Sequence, residues 1–475
     1  MHVSLMVPGA KTIDTAPLVV EAPFDRSPIG EVDLADATTV ETALATADRL
    51  FRDRDGWLPA DRRIAILERA IGIMSERAES LALEAAREGG KPLIDSRVET
   101  ARAIDSFKIC IETLRTEAGS MVPMGVTPSS KNRLAMTRSE PIGSVVAVSA
   151  FNHPLNLIAH QIGPAIANGC PVIVKPADDT PLSCFRLVEI LREAGLPEGW
   201  CQSLVTDTLE TAEALVTDPR TAFFSFIGSP KVGWMLRSKL APGTRCALEH
   251  GGAAPVIVTP GIDLDQVVPS LLKGAFYHAG QVCVSVQRVF AHDRIADDLI
   301  ERLRAGVAAL HVGDPTDEAT DVGPLIRPRE VDRVEDWVAK AGVTAIIGGK
   351  RLGETIYAPT VLTEPSSDAL VSTAEIFGPV VCIYRYNDLD QAIARANALP
   401  FAFQAAVFTA DLDAALRTAN RLEASAVMVN DHTAFRVDWM PFAGLKQSGL
   451  GIGGIPHTMR DMRTEKMILI HSQEL

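Results

Sequence analysis

Between residues 141 and 250, five short apolar runs alternate with stretches of helical periodicity, and this rhythm narrows the fold more than any other feature. The strand-like runs are "SVVAVSA", "PVIVKPA", "CQSLVT", "TAFFSFIGS" and "RCALEHGG"; the helical ones are "LSCFRLVEILREAGLP", "LETAEALVTD" and "PKVGWMLRSKL". Short apolar runs suit strands covered on both faces, and a helix between strands is the connection parallel neighbours need. A mostly parallel sheet with helices on both faces follows. A second such rhythm runs from about 252 to 430, with the strand "APVIVT", a helix around "QVVPSLLKGAFYHAG" and the helical "ADDLIERLRAGVAAL". Upstream, residues 34–120 read as helical. "DRRIAILERAIGIMSERAESLALEAAREGGK" reads as one helix, with Ile64, Leu67, Ile71 and Met74 at helical spacing and Gly89-Gly90 stopping it, and a second helix restarts after Pro92. "RLAMTRSE" and the late "EKMILIHS" read as strands, with a Pro141-Ile142-Gly143 turn between the first of them and "SVVAVSA". The chain of 475 residues is therefore expected to form two α/β domains plus a small β element.

Composition removes several function classes. A formal net charge of -14 repels phosphate backbones and argues against a nucleic-acid partner. The N-terminus lacks a basic start followed by an apolar core, and no apolar run approaches the roughly 20 residues of a bilayer span, so a soluble cytoplasmic protein without a membrane partner is expected. The seven cysteines are widely spaced, with no C-x-x-C pair and no cluster at zinc-ligand spacing. Neither disulfides nor a metal site is expected, and most thiols read as buried filler.

Two segments are candidates for a phosphate cradle. "GLGIGG", Gly449 to Gly454, matches G-x-G-x-x-G, but it follows "GLKQS" late in the chain, opens no βαβ unit, and reads as a flexible loop. "FSFIGSPKVG" has the better context. A strand ends at Ile227, Gly228 and Ser229 turn, and a helix opens at Pro230, placing free N–H groups and the helix dipole where a pyrophosphate would sit.

The chemistry lies in three distant strings: "AFNHP" with Asn152, "LEHGG" with Glu249 and "GQVC" with Cys283. Singly, each has a plain structural reading: Asn152 as a turn residue, Glu249 as a surface carboxylate and Cys283 as core. In order and spacing they read differently. Glu249 precedes Cys283 by 34 residues, and "VIVKPADDTP", "IGSPKVG", "EIFGP" and "MPFAGLKQSG" follow the same series. Across nearly the whole chain this resembles the aldehyde dehydrogenase superfamily, in its non-acylating, NAD(P)-dependent form.

The resemblance implies an α/β aldehyde dehydrogenase fold with two doubly wound α/β domains and a small β oligomerisation element. Residues 1–120 and 141–250 would form the dinucleotide-binding domain, 251–440 the catalytic domain, and 121–140 with 455–475 an oligomerisation arm, giving a homodimer or homotetramer. It implies Cys283 as nucleophile, the Asn152 amide and the Cys283 N–H as oxyanion donors, and Glu249 as the general base that activates water against a thioester. Lys175 and Asp178 would meet the adenosine ribose, Gly228 and Ser229 the pyrophosphate, and Glu375 with Phe377 the nicotinamide ribose. Asp178 stands where the family often has Glu; an acid there disfavours a 2′-phosphate, so NAD is expected, with NADP as the alternative. His250 and Ala443 are further departures, in "LEHGG" and "PFAG".

The substrate tunnel of such a protein would draw on His153, Leu155, His160, Glu99, Arg102, Ala103, Phe435, Arg436, Trp439 and Phe442. This polar lining, and "GQVCVSVQR", resemble the lactaldehyde, glyceraldehyde-3-phosphate and phosphonoacetaldehyde branch. A small hydroxylated or anionic aldehyde held by His160 and Arg436 is one reading; the other pairs Arg436 with Asp438 and leaves His160 a core residue. Two rival activities stand beside the oxidation. A CoA-acylating enzyme would usually lack the general base that Glu249 supplies, and a cysteine hydrolase using His278, His250 or His160 would need neither Lys175 nor Glu375.

Overall fold

The computed structural model describes residues 1–11 and 15–475. The rhythm of residues 141–250 builds a six-stranded sheet. Five parallel strands lie in the spatial order Arg245–Glu249, Thr221–Ile227, Ser144–Val148, Val172–Lys175, Cys201–Ser203, and Gly449–Leu450 adds an antiparallel edge beside Arg245–Glu249. The strand order therefore reverses direction at Ser144–Val148, and in open α/β sheets the crevice beyond the strand carboxyl ends at such a point is where ligands bind. The loops leaving Val148, Ile227 and Glu249 carry Asn152, Gly228-Ser229 and His250-Gly251 respectively.

The second rhythm gives a wholly parallel sheet ordered Thr360–Thr363, Val380–Tyr386, Val286–His292, Ala254–Val258, Gln404–Phe408, Ala426–Val429. Each sheet has its own buried core. Val145, Val172 and Val174 sit in one and Val256, Val289 and Ile383 in the other, as β-branched runs covered on both faces require. Arg463–His471 pairs antiparallel with Arg133–Pro141, which also pairs with Met121–Val122. Met467, Leu469 and Ile470 are exposed on it.

Two sequence expectations fail. The helix expected through "DRRIA…EGGK" is two helices, Ala60–Glu76 and Ala78–Gly89, broken at Arg77. The segment "GLGIGG" is not a flexible loop: Gly449–Leu450 pairs with the strand that carries Glu249, and Gly453 exchanges backbone hydrogen bonds of 2.7 and 3.0 Å with Phe442. No described helix is long and apolar enough to cross a membrane. Among the described residues all seven cysteines are free thiols.

Candidate active site

A cavity of about 520 Å³ opens between the carboxyl edge of the first sheet and the amino edge of the second. Cys283 lines it from the turn just before the strand Val286–His292. That turn is shaped by three successive left-handed residues, His278, Ala279 and Gly280, with φ of 49°, 54° and 71°. Only Gly280 adopts such a φ without strain, and a Cβ there would lie 2.1 Å from the Gly378 carbonyl oxygen. Val282 and Val284 pack with Phe403 and Phe442, Cys283 packs against the same cluster, and all three residues line the cavity.

Asn152 is tied to the same turn. The Asn152 amide nitrogen donates to the Gln281 carbonyl oxygen at 2.8 Å, leaving its second hydrogen free. Asn152 leads into the buried helix Asn156–Asn168, whose first N–H groups need partners. Glu99 supplies them: one carboxylate oxygen accepts from the N–H of Leu155 at 2.9 Å and of Asn156 at 3.0 Å, and the other pairs with Lys91, both side chains being fully buried. Removing either member of a pair like this leaves an uncompensated buried charge, a loss of about 3–5 kcal/mol.

Glu249, last residue of its strand, also lines the cavity. Burial raises its carboxyl above the ordinary range, and Arg436 opposes that rise. Space for its side chain depends on the glycine-rich segment, since a Cβ on Gly453 would lie 2.3 Å from Glu249 Oε1. Burial likewise pushes the Cys283 thiol up to about 12, with Arg436 pulling the other way. The cysteine therefore rests as a thiol at neutral pH.

The cofactor-side residues divide into two groups. Gly228, Ser229, Glu375 and Phe377 line the cavity, with Ser229 preceding the helix Pro230–Arg237 and Phe377 holding φ of 47° beside Phe151. Glu375 Oε1 is buried without a hydrogen-bond partner, and burial raises its pKa to about 8. An orphaned buried acceptor beside a free helix N-terminus fits a ribose hydroxyl next to a pyrophosphate. Lys175 and Asp178 stand outside this cavity, paired with each other at 2.7 Å, and Asp178 faces an adjoining groove with Arg327 and Arg329. The backbone of "LEHGG" enforces the close fit: a Cβ on Gly251 would lie 1.6 Å from Glu375 Oε1. Gly251→Ala is expected to displace that flexible carboxylate rather than unfold the chain, raising the KM for NAD about tenfold with little change in melting temperature.

At the opposite end Arg102, His153, His160, Arg436 and Phe442 line the cavity. Glu99, Ala103 and Leu155, expected there, are buried elsewhere, while Phe435 and Trp439 are 44% and 56% exposed and off the cavity wall. The Arg436–Asp438 pair of the second reading is not formed. Asp438 is held instead by Arg102, through bonds of 2.6 and 3.1 Å, and by His160 at 2.7 Å. Arg436 stacks over the Phe442 ring at 3.5 Å, donates to His160 Nδ1 at 3.4 Å, and keeps a buried Nε with no partner. Sequence reasoning missed Tyr277, whose hydroxyl meets His153 at 3.2 Å, and Arg333 with Trp337 on the helix Pro328–Ala339. Nothing in that helix's amphipathic pattern marks them.

Comparison with known proteins agrees with this layout. The model of the aldehyde dehydrogenase family matches residues 11–468. The chain is 38% identical over 451 residues to 3-sulfolactaldehyde dehydrogenase of Priestia aryabhattai, covering 94% of each protein. It is 36% identical over 467 residues to lactaldehyde dehydrogenase of Methanocaldococcus jannaschii, covering 97% and 98%. Among solved structures, aldehyde dehydrogenase 21 from Physcomitrella patens, in complex with the reaction product succinate, superposes with a TM-score of 0.93 at 34% identity over 98% and 97% of the two chains. Glyceraldehyde-3-phosphate dehydrogenase GapN from Methanocaldococcus jannaschii, complexed with NADP, gives 0.91 at 35% identity over 97% and 100%. With sheet topology, cavity and these matches in agreement, the chain belongs to the aldehyde dehydrogenase family and is an NAD(P)-dependent enzyme acting on aldehydes.

Proposed function

We propose that the protein oxidises a small aldehyde with an anionic or hydroxylated tail to its carboxylic acid through a thioester on Cys283. The single observation that carries this reading is the cavity itself. Its wall holds Cys283, Asn152 and Glu249 together, and at one end a buried arginine, Arg436, has no carboxylate partner. The Cys283 sulfur bonds the aldehyde carbon as the thiol gives its proton to solvent through the cavity, and the positive charge of Arg436 favours that loss. The free hydrogen of the Asn152 amide and the Cys283 N–H receive the developing oxyanion. Gly228, Ser229, Glu375 and Phe377 hold NAD or NADP, whose nicotinamide supplies the hydride acceptor when bound. Glu249 then takes a proton from the water that attacks the thioester, a task suited to a carboxyl whose pKa is raised toward neutrality.

Support for the tail comes from His160 and Arg436 at the cavity's far end, with Phe442 beneath the guanidinium. The names of the relatives, 3-sulfolactaldehyde and lactaldehyde dehydrogenase, fit a small polar aldehyde. Asp178, in the adjoining groove and paired with Lys175, would repel a 2′-phosphate that reached it, and so favours NAD over NADP. The exposed Met467, Leu469 and Ile470 on the last strand support assembly as a homodimer or homotetramer. The test is reduced-nicotinamide formation without CoA, using propanal, lactaldehyde and succinate semialdehyde on wild type and Arg436→Ala. Because loss of Arg436 also raises the thiol pKa, the informative quantity is the ratio between substrates. Succinate semialdehyde should fall at least about tenfold more than propanal in kcat/KM; equal losses would remove Arg436 from substrate recognition.

A further inference from the structure

Arg102, His160 and Arg436 line the far end of the cavity, while Asp438, 2% exposed, lies behind them. Which of the four carries charge follows from their hydrogen bonds. An arginine nitrogen only donates, so His160 Nδ1 accepts from Arg436. His160 Nε2 then bears the proton and donates to Asp438. Both ring nitrogens are thereby used in the neutral form, and burial keeps His160 neutral, with its pKa lowered to about 4. Asp438 stays ionised between Arg102 and His160. The nearby Lys91–Glu99 pair cancels itself, and Glu249, although it lines the same cavity, forms no ion pair with Arg102 or Arg436. At this end two guanidinium groups thus share one hydrogen-bonded carboxylate. Arg102 is matched by Asp438 in a bidentate bond, and Arg436 has no ion-pair partner among the described residues.

Building on the anionic-tail reading above, we propose that Asp438 is the specificity-determining residue that sets this end of the tunnel to a single net positive charge, selecting aldehydes whose tail carries one negative charge over those carrying none or two. A carboxylate or sulfonate tail completes the set by pairing with Arg436. A phosphate, with close to two charges above pH 7, brings one that no cation balances in a site shielded from water. A neutral tail leaves Arg436 buried and unmatched. Asp438 also acts through His160, because the proton it holds on Nε2 is what makes Nδ1 an acceptor that steadies Arg436.

The experiment compares kcat/KM at pH 8 for propanal, succinate semialdehyde and glyceraldehyde 3-phosphate, which differ in size as well as charge. The readout is therefore how each ratio moves between variants. Asp438→Asn, which keeps the shape and removes the charge, should raise the phosphate-to-carboxylate ratio about tenfold. Arg102→Gln should lower the carboxylate-to-propanal ratio about tenfold, and Arg102→Gln with Asp438→Asn should restore both ratios toward wild type. A purely structural role for the pair would not predict that recovery. If wild type fails to favour succinate semialdehyde over propanal, the anionic-tail reading itself falls. If wild type favours it but Asp438→Asn leaves the phosphate-to-carboxylate ratio unchanged, that reading stands and the role of Asp438 is refuted. Should Asp438→Asn fail to fold, as judged by circular dichroism, the Arg102→Gln ratio decides: the tenfold fall supports the proposal and its absence overturns it.

Discussion

Cys283→Ala is expected to abolish aldehyde oxidation, lowering kcat by roughly 10⁴-fold or more while leaving the fold and cofactor binding intact. Cys283 supplies a thiol on the same cavity wall as Asn152 and Glu249. Removing it deletes the thioester route entirely rather than weakening one of its steps. The cost to stability is small because Cys283 sits on a turn at the cavity wall and the change removes one sulfur atom, leaving Val282 and Val284 packed with Phe403 and Phe442. The measurement is reduced-nicotinamide absorbance in single-turnover and steady-state regimes, with NAD affinity followed separately by fluorescence titration. A variant that still produced a stoichiometric burst would show that the nucleophile lies elsewhere. One that lost NAD binding along with activity would make the cysteine a structural element of the cofactor pocket.

The two rhythms of strand and helix were readable because β-branched residues on both faces of a strand leave little alternative to a covered parallel sheet. The break between the helices Ala60–Glu76 and Ala78–Gly89 was not readable. Apolar periodicity continues through Met74 and Leu81 on either side of Arg77, and no glycine or proline marks the change of direction. The site divides along the same line. That Asn152, Glu249 and Cys283 share one cavity could be expected because their order along the chain is a pattern in itself. Partnerships between side chains could not. Arg436 and Asp438 look paired because they are two residues apart, yet the carboxylate reaches Arg102, 336 residues away. Glu99 looks like a tunnel residue until the helix beginning at Asn156 needs its N–H groups satisfied. "GLGIGG" looks like a loop because its meaning is antiparallel pairing with a strand about 200 residues earlier, where absent side chains leave room for Glu249. Glycine content shows that space is needed but not for which neighbour.

Glu249→Gln should separate the two halves of the reaction. In the proposed mechanism acylation uses the Cys283 sulfur and the Asn152 amide, so one equivalent of reduced nicotinamide per site should still form in a burst. Deacylation needs a proton taken from water, and loss of a general base typically costs 10²–10⁴-fold, so the following steady state should fall by about that factor. The wild-type pH profile has a definite sign. Burial raises the Glu249 pKa, so the base form is lost as pH falls through that raised value, and steady-state turnover should decline on the acid side while the burst amplitude holds. In Glu249→Gln the acid limb should disappear. Added hydroxylamine, a nucleophile that attacks a thioester without general-base help, should restore turnover in the variant and do little for wild type at high pH. Loss of the burst together with the steady state would place Glu249 in the activation of Cys283 instead. Restoration by CoA in preference to water or hydroxylamine would move the protein to the acyl-transferring class.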